Sequence, residues 1–297
     1  IRVPAKLYRA PTYPECSTAF TPITEFGAPV KASHFSITPD FTFINHGAFG
    51  GALKESVTLK RQFEDLMEHQ LLDFVDRKLL PWMVNSIRSM ADFISCSPED
   101  LVLVPNATYG VNAAMSIIDG ADKVAYLDTE YGSVYKMLWF RAKATGASIH
   151  EIPINKHLHS STLRSNEELT AHIERSLPEG CTAFVIDHIT STTALEFPVF
   201  THIIPMLRRV GVKKIIVDGA HAPLQIDLNL NELPPAARPS VYVGNLHKWM
   251  SSAKSVGFMW VPKDVQELIT PPVRSHGASE GFTSEFIWDG TRDYSAS

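Results

Sequence analysis

The sequence predicts an α/β fold in which a mainly parallel sheet is flanked by helices. From residue 101 onward, short apolar runs alternate with amphipathic stretches, which is the pattern of repeated strand–helix units. Parallel strands are buried on both faces and therefore read as continuous apolar runs. The chain has 297 residues, 44% of them hydrophobic, so one large domain with a substantial core is expected.

The expected elements follow the chain in order. Apolar residues recur at helical spacing over residues 51–78, and a second helix is expected over residues 81–94, because proline is tolerated in a first helical turn. Strands are expected at residues 101–105, 123–128, 147–154, 182–188, 213–218, 241–245 and 257–261. Helices between them are expected at residues 111–118, 134–145, 167–176 and 200–210.

Composition limits the organisation and the partners. Residues 1–40 are rich in proline, threonine and serine without a period, which predicts an irregular N-terminal arm before one large domain over residues 41–297. The net charge of −5 and the lack of a basic, aromatic-rich stripe argue against nucleic acid. No apolar run reaches the about 18–20 residues of a membrane span. Cys16, Cys96 and Cys181 lack paired or metal-type spacing, which indicates free thiols in a reducing compartment, the cytoplasm.

Chemically useful side chains follow three of the expected strands. Asp218 ends an apolar strand before a Gly-Ala turn, and Lys248 follows the next strand among apolar neighbours. Burial of a lysine lowers its pKa and frees the amine for Schiff-base chemistry. The sequence PNATYG at residues 105–110 opens a helix, whose first amides and Thr108 hydroxyl favour a phosphate. The alternatives are a turn cap for Asp218, a surface loop for Lys248 and ordinary helix capping by Asn and Thr.

A phosphate cradle, a buried acid and a lysine at neighbouring strand ends form the set that one cofactor requires. Pyridoxal 5′-phosphate (PLP) uses a lysine for its aldehyde, an acid for its pyridine nitrogen and a cup for its phosphate. The sequence therefore predicts PLP as the cofactor. A metal hydrolase using Asp218, His221 and His247 is the alternative from another enzyme class, but it leaves the lysine and the phosphate-binding turn without a role.

Four motifs support this interpretation. They are FINHGAFG at residues 43–50, DGAH at 218–221, the pair HK at 247–248 and WDGTRDYSA at 288–296. Together they resemble the class V aminotransferase family of fold type I PLP-dependent enzymes, in its isopenicillin N epimerase-like and hercynylcysteine sulfoxide lyase-like branch. The resemblance covers residues 41–297 and implies the fold type I large domain. Family members carry a further small C-terminal domain, so the chain is expected to be truncated before it.

The resemblance implies a role for each residue that matches a family motif. Lys248 would form the Schiff base with PLP, Asp218 would face the pyridine nitrogen and His221 would meet the phenolic oxygen. These three are the expected catalytic residues. The further cofactor contacts that the resemblance implies are Ala107 (through its amide), Thr108, Asn245 and His247 at the phosphate, Tyr131 stacked on the ring, and His188 near the phenolic oxygen.

The resemblance also implies a dimer and a substrate site. Thr291 matches a residue that reaches the phosphate bound in the other subunit, which implies a homodimer with shared active sites. Asn45, His46 and Arg292 are the expected substrate contacts. Alternative roles are core packing for Tyr131, an interior position for His188, a structural turn for His46, and an ion pair with Asp289 or Asp293 for Arg292.

The sequence thus predicts an enzyme that acts at the Cα atom of an amino acid through a Lys248 aldimine. C–S lysis or epimerisation is preferred over class V transamination, because the motifs at residues 45–47 and 290–293 resemble the branch with the first two reactions. Cysteine desulfurase chemistry is not expected, because it needs a nucleophilic cysteine on a C-terminal loop and none of the three cysteines resembles one. A catalytically incomplete scaffold is the remaining alternative, and the intact Asp218–Lys248 pair argues against it.

Overall fold

The structure, a computed structural model, describes residues 22–23, 25–159 and 163–297. These residues form one seven-stranded sheet. Its strands are β1 Leu101–Val104, β2 Lys123–Leu127, β3 Ser148–Ile152, β4 Ala183–Asp187, β5 Lys214–Asp218, β6 Val241–Asn245 and β7 Gly257–Trp260. Each lies within two residues of its predicted bounds, so the prediction of seven strands is confirmed.

The strand order places three strand ends side by side. The order across the sheet is β1–β7–β6–β5–β4–β2–β3, and β7 runs antiparallel to both of its neighbours, while the other strands pair in parallel. Asp187 at the end of β4 is in register with Asp218 at the end of β5. The predicted mainly parallel sheet is confirmed, and its carboxyl edge carries β4, β5 and β6 next to each other.

Helices cover the sheet, and five α-helices of the described residues precede its first strand. The α-helices are α1 Ala28–His34, α2 His46–Phe49, α3 Lys54–His69, α4 Leu71–Asp73, α5 Leu80–Phe93, α6 Ala107–Ala114, α7 Gly132–Thr145, α8 Asn155–His159, α9 Asn166–Ser176, α10 Ile204–Arg209 and α11 Phe282–Ile287. Two π-helical segments lie at Phe74–Leu79 and Val199–Ile203, and 3₁₀ turns lie at Pro98–Asp100, Met115–Ile117, Pro235–Ala237 and Gln266–Leu268. The second π-helical segment and α10 together form the helix predicted at 200–210.

Two predictions on the N-terminal side are wrong. The single helix expected over residues 51–78 is interrupted at Gln70, whose backbone is not helical (φ −154°, ψ 82°). The π-helical segment that follows buries Phe74 and Leu79 in a small apolar cluster. The arm expected to be irregular contains α1, which is anchored because its buried His34 lies 2.6 Å from Glu55 of α3 (Nδ1 to Oε1). Residues 1–21 and 24 of this arm, with Cys16, lie outside the described residues.

The sheet separates two apolar clusters, as the continuous apolar strands require. Side chains alternate along each strand, so Phe184 and Ile186 of β4 join the cluster formed with α5, α9 and α10. Val185 of the same strand joins the opposite cluster with α6, α7 and α11. Each fully buried side chain of this type contributes about 1.5–3 kcal/mol, so the two-sided burial holds the strand ends in fixed positions. No helix among the described residues is long and apolar enough to cross a membrane.

Gly50 brings the N-terminal motif against the segment that carries Lys248. Its φ of +74° is in the range that favours glycine. A Cβ atom built on Gly50 would lie 1.6 Å from the carbonyl oxygen of His247. Only glycine fits this contact, so the chain after α2 is held directly beside the lysine.

Replacing Gly50 with alanine is expected to destabilise the fold, since positive φ alone costs about 1–2 kcal/mol and the backbone contact must also open. The matched control is Gly132→Ala at the start of α7, where an added Cβ meets nothing within 4 Å. That control is expected to change stability by no more than about 1 kcal/mol, in the stabilising direction. Urea denaturation followed by circular dichroism measures both variants. Equal midpoints would contradict the assigned contact.

Candidate active site

The site forms where strands β4, β5 and β6 end. Asp187, Asp218 and Asn245 are the last residues of these strands and are all buried. Asp218 accepts a hydrogen bond from the backbone N–H of Ala220 through Oδ1 (2.8 Å). The turn-cap role considered for Asp218 is therefore present, and it fixes the carboxylate at the cleft floor without occupying both oxygens.

A cleft of about 320 Å³ opens above these strand ends. Its lining includes eight of the residues that the sequence predicts at the cofactor: Ala107, Thr108, Tyr131, Asp218, His221, Asn245, His247 and Lys248. Tyr131 is 47% exposed, so plain core packing does not describe it. The fold thus brings together side chains from four segments that are distant in sequence.

Lys248 and His221 form the reactive pair of the cleft. The lysine Nζ lies 3.0 Å from His221 Nε2, and Lys248 is half-buried rather than placed on a surface loop. Burial lowers the pKa of Lys248, and the charges of Asp218 and Asp187 oppose this shift. Burial and the nearby ammonium group lower the pKa of His221 to about 4. A neutral His221 therefore accepts a hydrogen bond from Lys248 at neutral pH.

The start of α6 is held by two asparagines. Asn106 caps the helix by accepting a hydrogen bond from the Tyr109 amide (2.9 Å). Asn245 Oδ1 accepts one from the Ala107 amide (2.8 Å), so the amide expected at a phosphate contacts Asn245 in this structure. Thr108 lies between these two amides and lines the cleft, at the positive end of the helix. Asn245 therefore orients the phosphate-binding turn.

Several residues of the site, most of which line the cleft, were missed by the sequence reasoning. Glu130 and Asp187 join Asp218 in a carboxylate trio whose oxygens lie within 4.8 Å of one another. Burial and the charge of Asp218 raise the pKa of Glu130 to about 8. Both residues follow or end apolar strands, so the strand-end rule that identified Asp218 also points to them. The other missed lining residues include Asn106, Ser191, Lys254 and Ser255.

His188 lies away from the cleft. It is buried, its Nδ1 is 2.8 Å from the Tyr242 hydroxyl, and its ring packs edge-on against Phe200. Burial lowers the pKa of His188 to about 3, so the imidazole is neutral. Successive side chains of an extended segment point to opposite faces, which is why Asp187 lines the cleft and His188 does not. The structure places His188 in the interior position considered as its alternative.

The N-terminal motif forms one side of the site. Asn45 lines a second cavity of about 480 Å³ that shares Ala48 and His221 with the cleft. His46 accepts a hydrogen bond from the Gly51 amide through Nδ1 (3.2 Å), which is the structural turn considered as its alternative. A Cβ atom on Gly47 would lie 3.0 Å from the Trp249 ring. The motif therefore packs against the residues on both sides of the lysine.

Thr291 and Arg292 do not line this cleft. Thr291 is exposed in the chain taken alone. Arg292 forms an ion pair with Asp289 (Nε to Oδ1, 2.7 Å), and its guanidinium lies 4.7 Å from the Tyr294 ring centre. The structure thus shows the Asp289 ion pair that was considered as the alternative to substrate contact.

The alternative metal site is wrong for this structure. Among the described residues, Asp218, His221 and His247 do not converge at ligand distance. His247 Nδ1 lies 3.0 Å from the Val256 carbonyl, and His221 contacts Lys248 instead. The turn after β5 and the segment after β6 therefore point these histidines toward different partners.

Asn245→Ala is expected to destabilise the protein by about 1–3 kcal/mol, because it leaves the buried Ala107 N–H without an acceptor. Asn112→Ala is the control: its side-chain amide donates to the Thr108 carbonyl on an exposed part of α6 (2.8 Å), and a change within about 0.5 kcal/mol is expected. Chemical denaturation compares the two. A smaller loss in Asn245→Ala than in the control would refute the role given to Asn245.

No family model matches the chain. The sequence is 29% identical over 266 residues to putative L-cysteine desulfhydrase 1 of Oryza sativa subsp. japonica, an alignment that covers 85% of this chain and 54% of the relative. It is 27% identical over 250 residues to isopenicillin N epimerase of Amycolatopsis lactamdurans, covering 82% of this chain and 59% of that protein. The chain thus spans little more than half the length of these curated relatives.

Solved structures show the same fold. A mutant of C-DES with glycine covalently linked to its PLP cofactor superposes with a TM-score of 0.75 at 15% identity, covering 90% of this chain and 69% of that one. Cysteine desulfurase from Thermococcus onnurineus gives a TM-score of 0.72 at 15% identity, covering 93% and 69%. The sequence relatives confirm the resemblance drawn from the motifs, and the solved structures show that the chain has the fold type I architecture.

Proposed function

We propose that the protein is a PLP-dependent enzyme that breaks a bond at the Cα atom of an amino acid and then eliminates sulfur from a cysteine-type substrate. The observation that carries the proposal is the pairing of the half-buried Lys248 with the buried Asp218 across one cleft. The relatives named L-cysteine desulfhydrase support C–S lysis, and those named isopenicillin N epimerase support epimerisation as the second candidate. The names of these relatives give no support to transamination.

The residues of the cleft fit PLP by the chemistry of their donors. A phosphate suits Thr108 and the start of α6, with Asn245 and His247 beside it. Asp218 offers a carboxylate to the protonated ring nitrogen, and the exposed ring of Tyr131 offers a stacking surface. When bound at Lys248, PLP supplies an electron sink for the negative charge that develops at Cα.

Residues of this chain accept, donate and hold the protons of the proposed reaction. Burial lowers the pKa of Lys248, which increases the fraction of free amine that can take the Cα proton. The neutral His221 orients the amine through their 3.0 Å contact. Asp218 keeps a proton on the ring nitrogen, which strengthens the electron sink. Returning the proton to the opposite face of Cα gives epimerisation, whereas loss of the sulfur group from Cβ gives lysis.

The described cysteines support lysis without a protein thiol. Both Cys96 and Cys181 are free and buried. Burial raises the pKa of the Cys96 thiol to about 12 and also raises the pKa of Cys181. A protonated, buried thiol is a poor nucleophile, so neither of these two cysteines is suited to accept sulfur from the substrate. The reduced thiols also fit a cytoplasmic location, although one relative is named chloroplastic.

The functional unit in this proposal is a homodimer with shared sites. The exposure of Thr291 in the isolated chain supports this, since the residue is available to a second copy. A two-fold axis would then place the Thr291 of each subunit at the phosphate of the other. Asn45 and the cavity that it lines would then receive the substrate carboxylate.

Incubation with PLP and a panel of amino acids in deuterated water tests the reaction. With L-cysteine, equal amounts of pyruvate, ammonia and hydrogen sulfide are expected with one water consumed, and Lys248→Ala is expected to lose activity by at least about 100-fold. Lys143→Ala, on the surface of α7, is the lysine control and is expected to keep full activity.

Two results would change the proposal. A deuterated and inverted amino acid without sulfur release would establish the epimerase instead. A 2-oxo acid formed together with the amino form of the cofactor would establish transamination and overturn the preferred order.

A further inference from the structure

The carboxylate trio at the cleft floor is unusual because three acids meet where little solvent reaches. Asp187 and Asp218 are only 3% and 4% exposed. Both carboxylate oxygens of Glu130 are buried as well. The three groups reach one another within 4.8 Å through one oxygen each. Three full negative charges in this arrangement would repel strongly, because charges in a poorly solvated site are only weakly screened.

The hydrogen-bond pattern shows which two of the acids form a pair. Oε1 and Oε2 of Glu130 and Oδ2 of Asp187 are buried and form no hydrogen bond of good geometry. The backbone N–H groups of Tyr131 and Asp187 lie near Glu130 and only partly oppose the rise in its pKa. Asp218, in contrast, accepts from the Ala220 amide. Two carboxylates that face each other as acceptors cannot bond, but a proton on one of them turns it into a donor for the other. A single proton therefore gives the carboxyl groups of Glu130 and Asp187 a hydrogen bond to each other.

We propose that Glu130 and Asp187 share one proton, so that this pair carries one negative charge instead of two, Asp218 stays ionised, and Glu130 is a positioning residue for the cleft floor. The shared proton stands on the geometry of the cofactor-free chain. Its effect on the ring nitrogen rests on the proposed function: the trio then carries two negative charges instead of three, and the carboxylate offered to the ring nitrogen is that of Asp218.

The surroundings of the pair agree with this assignment. In the part of the chain that the structure describes, Lys248 is the cation whose charge acts on both aspartates of the trio. From β6, the buried Tyr242 hydroxyl is directed to His188, which is neutral, so neither adds a positive charge. His221 is neutral as well. One ammonium group therefore faces three acids, and sharing a proton between two of them reduces the excess negative charge.

The expected pKa values support the pairing. Burial and the charge of Asp218 raise the pKa of Glu130 to about 8, and burial together with both neighbours raises the pKa of Asp187 well above its usual range. The folded pKa of Glu130 thus lies above the value of about 4.5 in an unfolded chain. The stabilisation from its proton is complete below pH 4.5 and is lost as the pH rises through about 8.

Infrared spectroscopy of the cofactor-free chain at pH 7 tests the shared proton. The wild-type protein is expected to show the C=O stretch of one protonated carboxyl group. Glu130→Gln and Asp187→Asn are each expected to remove this band, because the new side-chain amide donates the hydrogen bond instead. Glu151→Gln, an exposed acid on β3, is the control and is expected to retain the band.

The pH dependence of unfolding is the second measurement. Between pH 5 and 8 the unfolding of the wild-type chain is expected to release about one proton more than that of Glu130→Gln, from the slope of unfolding free energy against pH. Glu130→Gln is expected to fold, because it keeps the volume and the hydrogen bond. Equal proton release, or a band that survives Asp187→Asn, would overturn the shared proton.

Different results would refute the proposed function and the shared proton. Both measurements use the cofactor-free chain, so a protein that never binds PLP would refute the proposed function and leave the carboxyl pair intact. Conversely, normal lyase activity with no protonated-carboxyl band would refute the pair alone. A divalent metal ion retained at one equivalent by the wild-type chain and lost in Glu130→Gln would also overturn it, because the metal would replace the proton.

Discussion

The balance of charge between Lys248 and the acids at the strand ends is the interaction on which the site depends. A half-buried ammonium group costs free energy unless nearby carboxylates compensate, and buried carboxylates cost free energy unless a cation or a proton compensates. The parallel sheet brings the ammonium group and the carboxylates together at one edge, because β4 and β5 end in aspartates and the lysine follows β6. The result is an amine with a lowered pKa that still has a negative partner.

The rest of the chain keeps this arrangement in place. Two apolar clusters fix the strands from both faces, so the strand ends cannot shift independently. Asn245 ties the end of β6 to the start of α6, and Gly50 lets the N-terminal motif approach the backbone of His247. A motif about 200 residues away in sequence thereby becomes part of the wall beside Lys248.

The strands and the central pair could be predicted from the sequence because they depend on local patterns. Apolar runs give strands, and the ends of parallel strands give the position of Asp218 and Lys248. His188 shows what local patterns leave out. It adjoins Asp187 in sequence, but the alternation of side chains sends one residue into the cleft and the other to Tyr242, and only the three-dimensional structure tells them apart.

Interactions between distant segments explain the other differences. Glu130 follows β2, so its segment places it near the carboxyl edge of the sheet, but only the folded structure shows that it meets Asp187 and Asp218. After the break at Gln70, Phe74 and Leu79 join an apolar cluster with Ile287 and Tyr294, a long-range contact that helical periodicity does not report. Residue types identify candidate chemistry, and tertiary packing selects among the candidates.

Reduction with borohydride tests the central claim most directly. After the protein is loaded with PLP and reduced, peptide mapping by mass spectrometry is expected to find the cofactor on Lys248, with little on Lys254, which lines the same cleft but is exposed. The lowered pKa of Lys248 and its position beside Asp218 and His221 are the reasons for this selectivity. A cofactor adduct mainly on Lys254 or another lysine, or no adduct in a folded sample, would contradict the account.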